Sequence, residues 1–211
     1  GQVLTDDPVF QGGASATYGG LSAGIWGNLD LTSVNGESGE FTEVDYFGEY
    51  AFEMPGIDRV GFAVGFVNYH FPGVTGDTSE VYWAASFDMP LNPSVSVSYD
   101  IDEIDGIYTS FAIGHDFGTI LEIAEDMPVG MEFGASLGLG DEDYNNGYWG
   151  TDDSGLNDLA LSLGFPMEIG GWSVTPSLNY VTLVDSDIRS SDTYDKSSDY
   201  FYSGISLSRS F

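Results

Sequence analysis

The chain has 211 residues, with 34 acids against 4 bases and a formal charge of −30. A charge of that sign repels phosphates and excludes nucleic acid as a partner; it attracts cations and basic partners instead. No cysteine is present, which excludes a disulfide framework and thiol chemistry, and no run approaches the roughly 18 apolar residues that a membrane helix needs.

So acidic a composition would suit disorder, but 42% hydrophobic residues, 15% aromatics and strong periodicity argue for a folded chain. No Pro-rich or Ser-rich linker divides it, so one domain over residues 1–211 is expected. The start on Gly1, without a Met or a signal-like apolar run, suggests a processed form from which a secretion signal was removed.

In chain order the sequence reads as about eleven segments of period two. They lie near 8–18, 20–32, 41–54, 58–71, 79–89, 93–102, 106–117, 129–140, 156–166, 171–184 and 199–211. In the second, Leu21, Ala23, Ile25, Leu29 and Leu31 oppose Ser22, Gly24, Asn28 and Asp30. In the sixth, Val95, Val97, Tyr99 and Ile101 oppose Ser94, Ser96, Ser98 and Asp100. In the eighth, Met131, Phe133, Ala135, Leu137 and Leu139 oppose Glu132, Gly134, Ser136 and Gly138. The last segment closes on the terminal aromatic Phe211, as the final strand of a bacterial outer-membrane barrel does. Helical periodicity is nearly absent, and residues 119–126 (TILEIAED) are the one weak helical stretch.

One face of each segment is bulky and apolar; the other is small, hydroxylic or acidic. A soluble sandwich would show lysines and arginines on its outer face. Small residues suit the inside of a narrow barrel, which leaves the large apolar ones pointing outward. The connections alternate between short turns and long polar loops at 32–40, 72–80, 100–106, 140–155 and 185–199, the arrangement of outer-membrane barrels. Acid, Met and Pro recur at strand ends in FEMP (52–55), FDMP (87–90) and EDMP (125–128), where a residue without an N–H fits.

The expected fold is therefore an all-β, antiparallel, up-and-down barrel of outer-membrane type with about eleven visible strands. Parity adds a constraint. The first visible segment starts at the long-loop end, so an even-stranded barrel calls for one further strand, about twelve in all. That strand would lie upstream or come from a neighbour, unless residues 2–7 close the seam.

Residues 11–31 (QGGASATYGGLSAGIWGNLDL), 96–117 (SVSYDIDEIDGIYTSFAIGHDF) and 134–148 (GASLGLGDEDYNNGY) resemble the Gcw-type conserved hypothetical family of bacterial proteins. The resemblance runs over most of the length and implies an outer-membrane barrel. It also implies an earlier strand that ends in an aromatic-Arg-Gly element, and no established activity.

Three constellations carry chemistry. The first is an acidic lumen: Glu43, Asp45, Glu49, Glu53, Glu132 and Asp158 alternate onto the polar side, with only Arg59, Arg189, Lys196 and Arg209 as bases in the whole chain. Crowded carboxylates raise one another's pKa or bind cations; the alternative is a set of solvated rim acids. The second is Ca²⁺, the one candidate cofactor. Asp141, Asp143, Asn145 and Asp152 echo an oxygen-ligand loop, as do Asp100, Asp102 and Asp105, although Gly147 stands one place late for an EF-hand. Here the alternative is a loop kept soluble by its charge. The third is the aromatic set, Trp26, Trp83, Trp149 and Trp172 with many Tyr and Phe, expected as interfacial girdles rather than core.

Enzyme chemistry finds no support. His70 and His115 stand in no triad or metal-ligand spacing, and Ser110 alternates away from His115. The reading is a non-enzymatic outer-membrane barrel, structural or a narrow passage for cations or small solutes, with the lipid bilayer and cations as partners. The alternative is an extracellular or cell-surface subunit that joins copies of itself into a homo-oligomer, tube or filament by strand addition and Ca²⁺-bridged loops. A soluble carrier with an apolar interior is a third reading, and it requires the opposite sidedness.

Overall fold

The computed structural model describes residues 3, 5–34, 36, 38–73, 76–124, 127–191 and 197–211. Residues 2 and 4 of the stretch considered for the seam, the turn residues 125 and 126, and Lys196 lie outside them.

Alternation becomes one antiparallel sheet. Its strands are β1 (Val9–Tyr18), β2 (Leu21–Asp30), β3 (Phe41–Glu53), β4 (Val60–His70), β5 (Thr78–Phe87) and β6 (Ser94–Asp100). They continue with β7 (Ile107–Ala124), β8 (Met127–Gly140), β9 (Gly155–Gly164), β10 (Met167–Ile169), β11 (Trp172–Leu183) and β12 (Asp199–Ser208). Each strand pairs with its sequence neighbour in up-and-down order. The one departure is at Phe165–Pro166. Pro166 offers no N–H to the ladder, and β9 and β10 on either side of it both pair with β8 and β11. They share a lane, so the twelve strands fill eleven lanes, one for each expected segment. The path begins at β1 and ends at β12, which are not paired with each other.

The tight connections use glycine where the backbone turns left-handed. Gly19 (φ 58°) and Gly20 (φ 84°) join β1 to β2, and Gly170 (φ 61°) and Gly171 (φ 79°) join β10 to β11. Between the expected segments 156–166 and 171–184 the turn is thus confined to Gly170 and Gly171, because Met167–Ile169 still pair.

Burial follows the alternation. Along β2, Leu21, Ala23 and Ile25 are exposed, while Ser22, Gly24 and Trp26 are half-buried. Among the described residues the buried apolar set is small: Ala85, Val129, Trp149, Leu183 and Ile188. A soluble sandwich of this size would bury its large aliphatics. Here Phe111 is 50% exposed, Trp83 47% and Leu161 37%, and Phe133, Leu137 and Val97 are only half-buried. The large apolar residues lie on the more exposed face of the sheet, termed the outer face, and the opposite, inner face is polar.

Three expectations are corrected. The weak helical stretch is strand from 119 to 124: β7 runs on to Ala124 through a bulge after Asp116, where Gly118 (φ 68°) donates its N–H to Asp116 Oδ1 at 2.6 Å. The tertiary ladder with β8 overrides local propensity there. Two of the long loops contain short helices, α1 (Glu142–Trp149) and α2 (Ser186–Ser190), that period-two reading could not reveal. The tryptophans do not form one girdle. Trp83 and Trp172 are exposed, but Trp26 shares the inner face with Ser22 and Asn28, and Trp149 is buried against Leu183 and Ile188. A cluster of aromatic rings on the apolar face does stand at the short-turn end of β3 and β4. There Phe52 stacks between Tyr50 and Phe62, each ring pair 5.8 Å apart.

Candidate functional site: the inner face and its loop end

The inner face is a lattice of carboxylates held by hydroxyls. Glu49 on β3, Gly65 on β4 and Tyr82 on β5 lie in one cross-strand row. The Tyr82 ring crosses the bare Gly65, and its hydroxyl donates to Glu49 Oε2 at 2.8 Å. A Cβ on Gly65 would run into that ring. The same device recurs in reverse order. Tyr108 on β7 crosses Gly138 on β8 and donates to Asp158 Oδ1 on β9 at 2.8 Å. Glycine in mid-strand weakens a sheet unless another group needs the space; here two tyrosines need it. Tyr69 completes the set by donating to Glu80 Oε2 at 3.2 Å.

These bonds anchor buried acceptors at their donors. Tyr108→Phe, which removes the Asp158 hydrogen bond and nothing else, is expected to cost about 1–2 kcal/mol in equilibrium denaturation. Gly138→Ala is expected to act in the same direction by expelling the Tyr108 ring.

The sequence-predicted lumen acids divide into two groups. Glu43, Asp45, Glu49 and Asp158 are half-buried or buried, whereas Glu53 and Glu132 are exposed. No described base joins them. Arg59 pairs with Asp88 at 3.3 Å and Arg189 with Asp199 at 3.0 Å, all with largely exposed side chains, and Arg209 lies over the Trp172 and Phe211 rings.

The first calcium-candidate loop is spent on architecture. Asp141 caps α1: its Oδ1 accepts from the Tyr144 N–H at 2.9 Å and from the Ile107 N–H at 3.0 Å. Asn145 is fully buried and donates through Nδ2 to the carbonyls of Gly140 and Asp153. Asp152 accepts from the Asn146 amide, and Asp143 is exposed in the first turn of α1. In the second loop Asp100, only 1% exposed, closes an Asx turn. Its Oδ1 accepts from the N–H groups of Asp102, Glu103 and Ile104, and its Oδ2 accepts from the Thr78 hydroxyl at 2.7 Å. Asp102 is exposed and Asp105 accepts from Tyr99. Among the described residues no three His, Cys, Asp or Glu side chains converge as a metal site. Among the described residues, three buried oxygens lack hydrogen-bond partners: Asp45 Oδ1, Asn145 Oδ1 and Thr151 Oγ1.

Sequence reasoning missed α1, which folds over the inner face at the long-loop end. Its backbone at Tyr144 presses on Gly106, and Gly147 lies against the Ile104 side chain. The Tyr144 ring packs on Tyr108 at 5.1 Å and on Tyr148 at 4.5 Å. Burial raises the Tyr144 hydroxyl pKa well above its ordinary value, and Tyr148, Tyr108, Glu80 and Asp158 add to the rise. The last two belong to β5 and β9; the helix itself packs on β7 and β8. Trp149 anchors its end on Leu183 and Ile188. The one legible signal was Asp141 followed by acids and then aromatics at helical spacing, the pattern of a capped helix start.

His70 is tied to the loop that follows it. Its Nδ1 lies 2.7 Å from Asp77 Oδ2, and Asp77 Oδ1 accepts from the Phe71 N–H. Those bonds, led by the one with His70, lower the Asp77 carboxyl below the ordinary 3.8. The sign follows from the depression. The Asp77 contribution to holding loop 71–77 is complete above 3.8 and is lost as pH falls through the lowered folded value. An NMR titration of Asp77 is expected to place its midpoint below 3.8, and His70→Ala to move it back up.

The chain matches no family model, no curated protein and no solved structure.

Proposed function

We propose that the sheet curls into a barrel of outer-membrane type, embedded in lipid through its apolar outer face. The bore would be narrow and acidic, serving a structural role or passing cations and small solutes. The sidedness carries this reading: Phe66, Val81, Trp83, Phe111 and Leu178 stand exposed on the outside, while acids and tyrosines hydrogen-bond on the inside. Lipid is the solvent in which such a surface is favourable, because each exposed apolar Å² costs about 25 cal/mol in water. Most strands have 10–14 residues, and about 9–11 tilted residues cross a bilayer. Among the described residues no helix is long and apolar enough to cross. With α1 across the long-loop mouth, conduction would be small at rest.

The test is fractionation. Recovery from membranes only with detergent, as a heat-modifiable species, supports the reading; recovery as detergent-free material removes it.

The two unpaired edges favour a second reading, in which copies assemble outside the cell into a tube or filament through strand addition. Ordered polymers imaged in native material without lipid would support that reading.

A further inference from the structure

One inner-face carboxylate lacks the partner that its neighbours have. Asp45 Oδ1 is buried and accepts no hydrogen bond, whereas Glu49, Glu80, Asp100 and Asp158 each accept from a tyrosine or threonine hydroxyl. A buried carboxylate oxygen is costly unless a donor or a cation faces it. Among the described residues the chain supplies neither: Arg59 and Arg189 are paired with other acids, and Arg209 lies over the Trp172 and Phe211 rings.

Register sets rings around this carboxylate. Trp26 on β2 and Tyr69 on β4 stand directly opposite Asp45, one on each side. The Cβ atoms of such cross-strand pairs lie about 4.5–5.5 Å apart. Along β3 the adjoining inner-face positions are Glu43 and Phe47. The Phe47 ring crosses the bare Gly24, two residues before Trp26 on the same face. Trp26, Tyr69 and Phe47 thus fill three of the four positions next to Asp45, and all are half-buried. The Tyr69 hydroxyl is held on Glu80 at 3.2 Å, which fixes its ring beside the Asp45 side chain. Glu43, within electrostatic reach of Asp45, adds negative charge.

We propose that Asp45, Trp26, Phe47 and Tyr69 form a binding site for a small organic ammonium ion, alkylated at nitrogen. The inference rests on the cation-passing barrel reading above and names the class of cation taken up. The carboxylate supplies the opposite charge. The rings supply faces that attract a cation within about 6 Å of their centres, an attraction that grows once the ion is desolvated. An alkylated ammonium sheds its water readily and fits both. A metal ion does not suit the place. Ca²⁺ takes about 6–8 oxygen ligands, and among the described residues no three His, Cys, Asp or Glu side chains converge. Aromatic rings give a hard ion nothing in exchange for its water. A neutral solute would leave the Asp45 charge unmatched.

The test titrates tetramethylammonium chloride into the 211-residue protein in detergent micelles at about pH 8, above the ordinary carboxylate range. NMR should show saturable one-to-one binding, with nuclear Overhauser contacts from the probe methyls to the Trp26 indole and the Tyr69 ring. Asp45→Asn, which keeps the side-chain shape, should weaken binding about tenfold or more. Trp26→Leu should weaken it about three- to tenfold. Sodium or calcium chloride at equal concentration should not displace the probe, and tert-butanol, a neutral molecule of similar size, should not bind. The Overhauser contacts are read on the parent protein, so they decide the matter even where a variant does not fold. Absence of saturable binding, or contacts to other rings only, overturns the proposal. So does displacement by sodium or calcium, equal binding of tert-butanol, or unchanged affinity in either folded variant. Failure of the barrel reading looks different: the protein would then stay dispersed without detergent, whatever the probe does.

Discussion

Gly106→Val is expected to lift α1 from the loop end of the molecule. A Cβ at Gly106 would stand 2.5 Å from the Cα and N of Tyr144. That is helix backbone, not a side-chain tip that could swing away. The helix is otherwise held by the Tyr108 and Tyr148 rings, by Trp149 on Leu183 and Ile188, and by the Asn145 amide. Overpacking of a fixed contact costs about 1–3 kcal/mol, and this site belongs at the upper end because two main-chain atoms are struck at once. Limited proteolysis should then cut within 141–154 sooner in the variant than in the parent. If the proposed barrel passes cations, the conductance of the variant in planar bilayers should rise several-fold over the parent, because α1 would no longer cover the long-loop end. Unchanged proteolysis would show that α1 is not held at Gly106. Unchanged conductance with a released helix would show that α1 does not limit passage.

Asp100→Ala is expected to destabilise the protein by about 3 kcal/mol or more. One carboxylate, almost wholly buried, accepts from three backbone N–H groups and the Thr78 hydroxyl. Its removal leaves those donors without an acceptor, at about 1–3 kcal/mol for each that water does not reach. Asp100→Asn keeps the Asx-turn acceptor but alters the oxygen facing Thr78, so it should cost less. Thr78→Val should fall lowest, near 1 kcal/mol. Equal losses for Asp100→Asn and Asp100→Ala would point to charge rather than hydrogen-bond count as the cause. The ranking is read from denaturant midpoints at a common slope.

Asp100 also shows why the loop acids read as calcium ligands. Oxygen-rich spacing is shared by ion-binding loops and by Asx turns, and the sequence holds nothing to separate them. Where the carboxylate points decides, and that depends on whether nearby N–H groups reach it first. Asp141 repeats the case: the residue that begins the candidate ligand run serves as the N-cap of α1. The helix itself was hidden because its eight residues lie in a loop whose composition reads as polar and turn-forming, and because its face is fixed by partners distant in sequence. The same holds for β7, whose last residues pair with β8 although their local pattern looks helical.

The sequence alone determined the eleven lanes of the sheet, their up-and-down order and the two chemically distinct faces. All of these follow from a period of two and from the length of each connection, and both are properties of neighbouring residues. Only the tertiary structure decided the rest. It set Gly65 beneath Tyr82 and Gly138 beneath Tyr108, laid α1 across the inner face, and left β1 and β12 without partners along one side. Those outcomes depend on register and on packing between strands and loops, which bring together residues dozens of positions apart, and no local pattern encodes such distances.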